Sequence, residues 1–423
     1  MAALSIRSGL APRFPSPSLG PLEEKVSITE EAGIRPSPGE APRVSVEVAE
    51  GALVQQGAAL ARLHKASDVC FVAPMRARVA RIELLQGHRL AEIVLFREPE
   101  DEAVRHDTSG ADNEAGLRRL MQTAGFWPWL RRRPFGGMPG ADERPAAIFV
   151  MATDTSPLAP DPRMAIEGQE EAFGRGLHAL TRLTDGPVFV CQQPGPPLFD
   201  GVPARGRLRS VDSGPRHPQG APGLRIHTLF QASIEASVWD LHAEDVAHLG
   251  ALIATGTLPM SRLVSVGGAA LREGRLVRTQ PGADLRGLTH RVTKPGPHVV
   301  LSGSPLDGHP ARWLAPRHRQ VTVLPGVKKG PQRHWLIGAL TRSAAPKPVI
   351  PNAAIDQAFA NALPAVAFVR ALMSGDEETA MKMGLLSLLE EDVALADYVL
   401  GGEMHLAAAL RAMLDRVRSE FAE

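Results

Sequence analysis

Hydrophobic and polar positions alternate along the first quarter of the chain, a pattern typical of short β-strands. In "RVSVEVAEGALVQQGAALARL", Val44, Val46 and Val48 fall on one face, and Gly51 and Gly57 supply turns. A second run, "CFVAPMRARVARIELLQG", repeats this rhythm after a short loop. The repetition predicts two similar halves related by internal pseudo-symmetry.

Two halves of this kind are similar to the barrel-sandwich domains of the biotinyl and lipoyl type, which we expect at residues 1–98. Such carriers present their modified lysine at the hairpin tip that joins the halves, but the joining segment here, "HKASDVC", contains only Lys65. The Met-Lys-Met triplet of biotin carriers lies instead at Lys382, in a stretch that the N-cap candidate Ser374 and the apolar spacing predict to be helical. We therefore do not expect Lys382 to carry biotin.

The polar, turn-rich residues 99–115 precede a region in which strand-like and helical patterns alternate. The strand-like runs are "AAIFVMA", "GPVFVCQ" and "LRIHTLF", and the helical patterns are "EGQEEAFGRGLHALTRLT" and "WDLHAEDVAHLGALIATG". This alternation predicts a Rossmann-like open α/β sheet at residues 116–258. Open sheets usually bind ligands at their carboxyl edge, so we expect a site there.

The remaining chain divides into two further predicted domains. "RLVSVGGAALREGRLVRTQPGADLRGLT" contains a strand, a Gly-Gly turn, a second strand, a Pro-Gly turn and a short helix, which predicts a β-grasp (SLBB-like) domain at residues 259–328. Residues 350–423 follow a nearly continuous helical pattern. The fold class is therefore a multi-domain α/β protein with a C-terminal helical domain, as a chain of 423 residues allows.

Composition excludes several classes of function. The net charge is +1, so nothing favours a nucleic-acid partner. Two cysteines, Cys70 and Cys191, are too few for a cysteine-ligated zinc site or an iron–sulfur cluster. The longest apolar run, "ALPAVAFVRALM", is too short to span a bilayer and contains Arg370. We expect a cytoplasmic protein, or one that is peripheral to a membrane, with no transmembrane segment of its own.

Short motifs do not predict a catalytic residue or a metal site. No Walker loop and no GxGxxG after a strand is present, and the glycine-rich "PFGGMPG" at 134–140 has prolines that remove two amide donors. Glu244 and His248 are four residues apart but lack a second ligand pair, so we expect a solvated helix face. His217 and His227 stand near Pro-Gly turns, where they could line a pocket or simply order a loop. Asp154 and Asp161 have no partner acid at a recognisable spacing.

Several collinear segments together resemble the A subunit of the Na+-translocating NADH:quinone reductases of bacteria. They cover nearly the whole chain, which makes the resemblance more specific than any single motif. The segments are "GIRPS" (33–37), "FVAP" (71–74), "RRRPFGGMPGADERPAAIFVMATDTSPLAPDP" (131–162), "LTDGPVFVC" (183–191), "RLVRTQPGADLRGLT" (275–289), "LSGSPLDG" (301–308) and "EEDVALADYV" (390–399).

The resemblance implies a peripheral subunit on the cytoplasmic side of the bacterial membrane. The family is similar in plan to the flavin-bearing subunit of respiratory complex I and to the C subunit of the Rnf complex. This chain has "RPFGGMPG" where their flavin loop would be, and no cysteine in its C-terminal helices. The implied subunit therefore binds no redox cofactor itself, and FMN, FAD and Fe–S centres are expected only in partner subunits.

Members of this family are implicated in quinone interaction. By motif, the implied quinone-binding residues are Gly33, Ile34, Arg133, Pro134 and Phe135. A quinone needs an apolar or aromatic wall and one donor for a carbonyl oxygen, which Phe135 and Arg133 could supply. The alternative is that Phe135 belongs to a core and Arg133 to the surface.

The chain also departs from the family pattern. Arg216 is inserted in "GPRHPQGA", Ala77 replaces an expected glycine, and "ADYVLGGE" at 396–403 lacks two cysteines and a lysine; the segment between about 335 and 350 is shorter. These changes leave open a non-enzymatic adaptor paralogue that is associated with a different membrane complex. A flavin and iron–sulfur electron carrier is a third hypothesis.

Overall fold

The computed structural model describes residues 4–37, 40–99, 102–196, 198, 206–326 and 350–421. The N-terminal region forms a four-stranded sheet in the order β2-β8-β7-β4 and a three-stranded sheet in the order β3-β5-β6. Both sheets contribute side chains, among them Leu60, Val79 and Ile93, to one hydrophobic core. The strands are β1 (Leu19–Leu22), β2 (Glu31–Ile34), β3 (Val44–Val46), β4 (Leu53–Val54), β5 (Ala59–Leu63), β6 (Ala66–Val72), β7 (Ala77–Leu85) and β8 (Arg89–Arg97).

The period-two pattern describes these strands only in part. Val44 is buried and Val46 half-buried, but β3 ends at Val46, so that Val48 lies beyond the strand. Lys65 is exposed in the tight turn between β5 and β6. Ala77, where the resemblance led us to expect a glycine, is fully buried at the start of β7.

Residues 114–255 form an α/β layer around a five-stranded sheet in the order β12-β11-β10-β13-β9. Four strands are parallel, and β9 pairs antiparallel with β13. Helices α3 and α5 pack closely because Gly176 and Gly250 leave no room for a Cβ atom between them. The elements are α1 (Glu114–Thr123), a 3-10 helix (Trp127–Trp129), β9 (Arg131–Arg133), β10 (Ala147–Ala152), α2 (Pro162–Ile166), α3 (Glu170–Leu180), β11 (Val188–Gln192), β12 (Leu208–Asp212), α4 (Pro222–Leu229), β13 (Val238–His242) and α5 (Ala243–Thr255).

Two element types in this layer were predicted wrongly. "LRIHTLF" was expected to be a strand, but it lies in α4, which begins with Pro222 at its first position. Proline is favoured there because the first helical N–H needs no partner. "WDLH" was expected to open a helix, but it forms β13, which is buried between β10 and β9.

A six-stranded sheet in the order β1-β15-β14-β18-β16-β17 follows. Its edge strand β1 comes from the N-terminal region and pairs in parallel with β15, which the sequence pattern did not predict. The Gly-Gly turn is present after β14, where Gly268 has φ +121° and an added Cβ would overlap the backbone of Val323. The elements are β14 (Arg262–Gly267), β15 (Gly274–Thr279), α6 (Leu285–Thr289), β16 (His298–Ser302), β17 (His309–Pro310) and β18 (Gln320–Pro325).

The C-terminal region is helical, with its own apolar core. The stretch around Lys382 is not one helix: Asp376, rather than Ser374, caps α9, and Gly384 at φ +105° interrupts the pattern. The shortened segment near 335–350 lies, up to residue 349, outside the described residues. The helices are α7 (Ala353–Ala358), α8 (Ala365–Ser374), α9 (Glu377–Lys382), α10 (Glu390–Val399) and α11 (Leu406–Phe421), with a 3-10 turn at Leu385–Ser387.

Residues 8–29, which we call the N-terminal strap, tie the regions together before the first barrel strand. The strap hydrogen-bonds to the α/β layer, to the six-stranded sheet and to the C-terminal helices. These bonds include Leu10 N to His217 O (2.7 Å), Gly268 N to Ser16 Oγ (3.0 Å), Ser27 N to Arg278 O (2.7 Å) and Gly9 N to Gln357 Oε1 (2.8 Å).

Within the described residues, no helix combines the length and the apolar character needed to cross a membrane.

Candidate functional site

A large cavity, which we call the domain cleft, opens where the α/β layer, the six-stranded sheet and the C-terminal helices meet. Its volume is about 720 Å³. Thr153 and Asp154, which follow β10, and His242, which ends β13, line it from the carboxyl edge of the parallel sheet. This is the edge at which α/β sheets usually bind ligands, so the cleft agrees with the position expected from the sequence.

The glycine-rich loop forms another wall of the domain cleft. Gly136 and Gly137 line the cavity, and both have φ +78°. The preceding Phe135 also has a positive φ of 79°, and its carbonyl accepts a hydrogen bond from Arg411 Nη1 at 2.8 Å. A side chain with positive φ is costly, so contacts from the C-terminal helices hold this loop in its conformation.

Arg133 is fully buried below this loop, in contact with three carboxylates. Its guanidinium lies 2.6 Å from Asp240, 3.3 Å from Asp392 and 3.1 Å from Glu391. Burial alone would lower the pKa of Arg133, but Asp240 and Asp392 raise it above its ordinary value. The cluster joins β9 and β13 of the α/β layer to α10 of the helical region. The interpretation of Arg133 as a surface residue is therefore wrong.

A second buried cluster joins α5 to the six-stranded sheet. Arg319 lies 2.7 Å from Asp245 and 3.3 Å from Glu244, and Glu244 Oε1 accepts a hydrogen bond from Leu263 N at 2.9 Å. Burial alone would raise the pKa of Asp245, but the charges of Arg319 and Arg262 outweigh burial and lower this pKa to about 2. The solvated helix face expected at Glu244 and His248 is wrong, because both side chains are buried.

Asp154, His217 and His318 line another part of the domain cleft. Burial raises the pKa of Asp154 to about 6 and lowers the pKa of His217 and of His318 to about 4. His217 Nδ1 lies 3.3 Å from Thr155 Oγ1, and His318 Nδ1 lies 2.9 Å from Ser302 Oγ. At neutral pH these imidazoles are therefore uncharged. His227 lies on α4 and Asp161 caps α2, and neither lines the cleft.

A smaller, more apolar cavity, the junction pocket, adjoins the domain cleft where the N-terminal region meets the α/β layer and the six-stranded sheet. It encloses about 80 Å³. Its walls include the side chains of Phe71, Trp129, Met138 and Met260. Four residues line both cavities, so the pocket and the cleft are continuous: Ser37, Glu40, Trp129 and Pro316.

Two of the implied quinone-binding residues, Gly33 and Ile34, line the junction pocket. Gly33 N donates to Gly282 O at 2.8 Å, and an added Cβ at Gly33 would overlap the indole of Trp313. That indole is held by a hydrogen bond of 2.7 Å from Nε1 to Glu92 Oε2. Gly33 is therefore required where the backbone passes directly against an aromatic ring.

The other three implied residues do not line either cavity. Arg133 is engaged by its carboxylates, and Phe135 packs into the core of the C-terminal helices. Arg133, Pro134 and Phe135 instead precede the two glycines that form the cleft wall. Sequence reasoning missed Glu40 and Trp129, although the aromatic "WPW" at 127–129 was a visible signal of a rigid apolar turn.

No group of three or more histidine, cysteine, aspartate or glutamate side chains that could hold a metal ion occurs among the described residues. Cys70 and Cys191 lie on β6 and β11, in different regions of the fold. Burial raises the pKa of the Cys70 thiol to about 11 and that of the Cys191 thiol to about 12. Both side chains are therefore protonated thiols, which are poor ligands and poor nucleophiles.

Comparison with known proteins gives consistent results along the chain. The family model described as the NqrA second alpha/beta domain matches residues 112–258, and the model described as the NQRA C-terminal domain, named for SLBB, matches residues 263–312. The structure places a parallel α/β sheet in the first range and most of the six-stranded sheet in the second. The comparison and the structure thus support a multi-domain α/β architecture.

Curated relatives extend the similarity to almost the whole length. The A subunit of the Na(+)-translocating NADH-quinone reductase of Klebsiella pneumoniae subsp. pneumoniae is 34% identical over 413 residues, covering 89% of this chain and 91% of the relative. The corresponding protein of Neisseria meningitidis serogroup C is 30% identical over 435 residues and 95% of each chain. Among solved structures, an air-oxidized NAD+-reducing [NiFe]-hydrogenase matches with a TM-score of 0.39 at 13% identity, over 74% of this chain and 68% of that chain. The chain belongs to the NqrA family, whose members are the A subunits of the Na+-translocating NADH-quinone reductases.

Proposed function

We propose that this chain is the A subunit of a Na+-translocating NADH-quinone reductase, bound peripherally on the cytoplasmic side of the membrane, where it holds the quinone ring. The observation that carries the proposal is 34% identity to such a protein over 89% of the chain. The match covers all the regions whose residues line the two cavities.

The junction pocket suits a quinone ring chemically. A quinone presents two flat apolar faces and two carbonyl acceptors, so it needs aromatic or aliphatic walls and a donor at one edge. Phe71, Trp129, Met138 and Met260 supply such walls. The hydroxyl of Ser37, at the boundary with the domain cleft, is available as a donor, whereas Arg133 is committed to its carboxylates.

The junction pocket is too small to enclose a substituted ring alone. Its volume of about 80 Å³ is well below the roughly 150 Å³ of an engineered cavity that binds benzene. The ring would therefore occupy the opening between the pocket and the domain cleft, with its edge beside Gly33 and Ile34. Arg133, Pro134 and Phe135 contribute indirectly in this proposal, because they fix the loop that carries Gly136 and Gly137.

In the same proposal, the flavins and iron–sulfur centres belong to partner subunits. The support is chemical: Cys70 and Cys191 are protonated thiols in separate regions, so they cannot jointly hold a cluster. Electrons from NADH would reach the quinone through those partners, and this chain would position the acceptor.

Purification of the native assembly, followed by photo-crosslinking, tests the proposal. A tagged copy of the chain should bring down the membrane subunits of an NADH-quinone reductase, and an azido-quinone should label peptides around Gly33 or Trp129 in that complex. Co-purification with a different membrane complex would instead support the adaptor hypothesis. Visible absorbance from a flavin or cluster on the isolated chain would support the electron-carrier hypothesis.

A further inference from the structure

One ionisable side chain lies at the boundary between the two cavities. Of the four residues that line both the domain cleft and the junction pocket, only Glu40 has an acidic side chain. The other three are a serine, a tryptophan and a proline. The boundary between the cleft and the apolar pocket therefore carries one carboxyl group.

The side chain of Glu40 lies against Gly137 of the glycine-rich loop. Its backbone N–H donates to Ser37 O at 2.9 Å, and its Oε1 lies 3.2 Å from the position that a Cβ of Gly137 would occupy. The side chain is half-buried. A larger residue at Gly137 would displace the carboxyl group, so the glycine gives Glu40 its place between the cavities.

The carboxyl group of Glu40 has no ion-pair partner among the described residues. Further charged residues line the two cavities, among them Arg35 after β2, Arg131 on β9, Arg317 before β18 and Asp240 on β13. Burial lowers the pKa of Arg317, and the charge of Glu40 offsets part of this effect, which shows that the two groups are close. Arg131 is engaged by Glu391, and Arg317 donates to backbone carbonyls at residues 128–130. Glu40 therefore lies near Arg317 without forming an ion pair with it.

Reduction of a quinone consumes protons where the ring is bound. One quinone takes up two electrons and two protons to form the quinol, and the electrons come from NADH in the reaction that names the family. The walls formed by Phe71, Met138 and Met260 carry no group that could supply these protons. A carboxylic acid at the edge of the pocket can supply them, whereas the guanidinium of Arg35 cannot, because arginine keeps its proton in proteins.

We propose, on the basis of the quinone site inferred above, that Glu40 delivers protons from the domain cleft to the reduced quinone. After each electron arrives, the O–H bond of the Glu40 carboxyl group breaks and an O–H bond forms on a quinone oxygen. The resulting carboxylate is then reprotonated by hydronium from the solvent in the cleft, so that both protons of the quinol come from the solvent. Two such deliveries, with two electrons from NADH, complete one quinol and return Glu40 to its starting state.

Three variants of the assembled, membrane-bound complex test this role: Glu40→Gln, Glu40→Asp and, as a matched control, Glu167→Gln. Glu167 is exposed after α2 and lines neither cavity. General acid catalysis contributes about 100-fold or more, so E40Q should lower kcat for NADH-driven quinone reduction at least about tenfold. KM for quinone and azido-quinone labelling should change little, since the ring walls remain. NADH oxidation by a water-soluble acceptor should also be unaffected.

The pH profile separates proton delivery from a structural effect. E40D should retain part of kcat, and its curve of kcat against pH should be shifted along the pH axis. In E40Q, the part of this curve that depends on protonation of the carboxyl group should be absent. E167Q should match the unaltered complex throughout. Unchanged kcat and pH profile in E40Q, with labelling retained, would overturn the role of Glu40 and leave the quinone site standing. If E40Q does not assemble, an unchanged profile in E40D decides against the proposal. Failure of azido-quinone to label the unaltered chain removes both proposals at once.

Discussion

Replacing Arg133 by methionine should uncouple the C-terminal helices from the α/β layer. Arg133 is 0% exposed, and so is Asp392, whose carboxylate also accepts hydrogen bonds from Leu389 N at 2.8 Å and Gly223 N at 2.9 Å. Methionine preserves most of the side-chain volume, so the main loss is charge. The buried carboxylate of Asp392 would then lack its ion-pair partner, and that of Asp240 would keep only the more distant Arg131, at 3.9 Å.

The expected magnitude follows from the cost of an uncompensated buried charge. Removing one partner of a buried ion pair costs about 3–5 kcal/mol, and a factor of ten in an equilibrium constant corresponds to about 1.4 kcal/mol. Amides of α10 that exchange through opening of this interface should therefore exchange roughly a hundredfold to a few thousandfold faster in R133M. Hydrogen exchange followed by mass spectrometry measures this directly. Arg119→Met, on the exposed face of α1, is the matched control.

The loss of stability in R133M should depend on pH in a definite direction. Burial already raises the pKa of Asp392, and Arg133 opposes that rise. Without Arg133 the folded-state pKa of Asp392 rises further above its unfolded value, so the stability that this carboxyl group contributes to the variant is fully present below the unfolded pKa and is lost as the pH rises through the folded one. The difference between R133M and the unaltered chain should thus shrink on acidification. A difference that grows as the pH falls, or exchange equal to that of R119M at pH 7.5, would refute the reasoning.

Three further outcomes are expected. Gly33→Ala should destabilise the junction by about 1–3 kcal/mol, because the new methyl group overlaps Trp313; denaturant unfolding measures this, and an unchanged midpoint would contradict it. Trp129→Ala should raise the quinone concentration needed for half-maximal labelling about tenfold or more, since a buried ring wall is lost, whereas Trp129→Phe should change it little. Stability should fall as the pH drops from 3.8 to about 2, where Asp245 loses the charge that Arg319 stabilises; Asp245→Asn should flatten this fall in an acid titration followed by circular dichroism.

The hydrophobic pattern could predict where strands and helices occur more readily than which of the two forms. In parts of the N-terminal sheets, apolar and polar residues alternate with a period of two, and this period indicates a β-strand rather than a helix. "LRIHTLF" is short and begins with alternating apolar and polar residues, so periodicity favoured a strand over the helix α4. The proline at its start was the better signal.

The candidate site depended on contacts between distant residues, which no local pattern encodes. Arg133 and Asp392 are 259 positions apart, and Glu244 meets an arginine 75 positions away in the same cluster. A charged residue on a predicted helix is usually solvated, so the expectation for Glu244 followed the common case. Only the folded chain shows that the carboxylates and arginines were buried together.

Strand β1 shows the same limit for topology. Its four residues pair with β15, more than 250 positions later, in a sheet that sequence reasoning confined to residues 259–328. The family resemblance did anticipate the order of regions along the chain, because collinear matches report sequence order directly. The assignment of domain boundaries at 98, 116, 258 and 350 stays a prediction.

The N-terminal strap has a consequence for biosynthesis. The strap docks on surfaces that are synthesised at different times. Its partners His217, Gly268 and Arg278 are translated well before Gln357, which follows Gly9 by about 350 codons. The contacts with the α/β layer and the six-stranded sheet can therefore form before the contact with the C-terminal helices, which is a late step of folding.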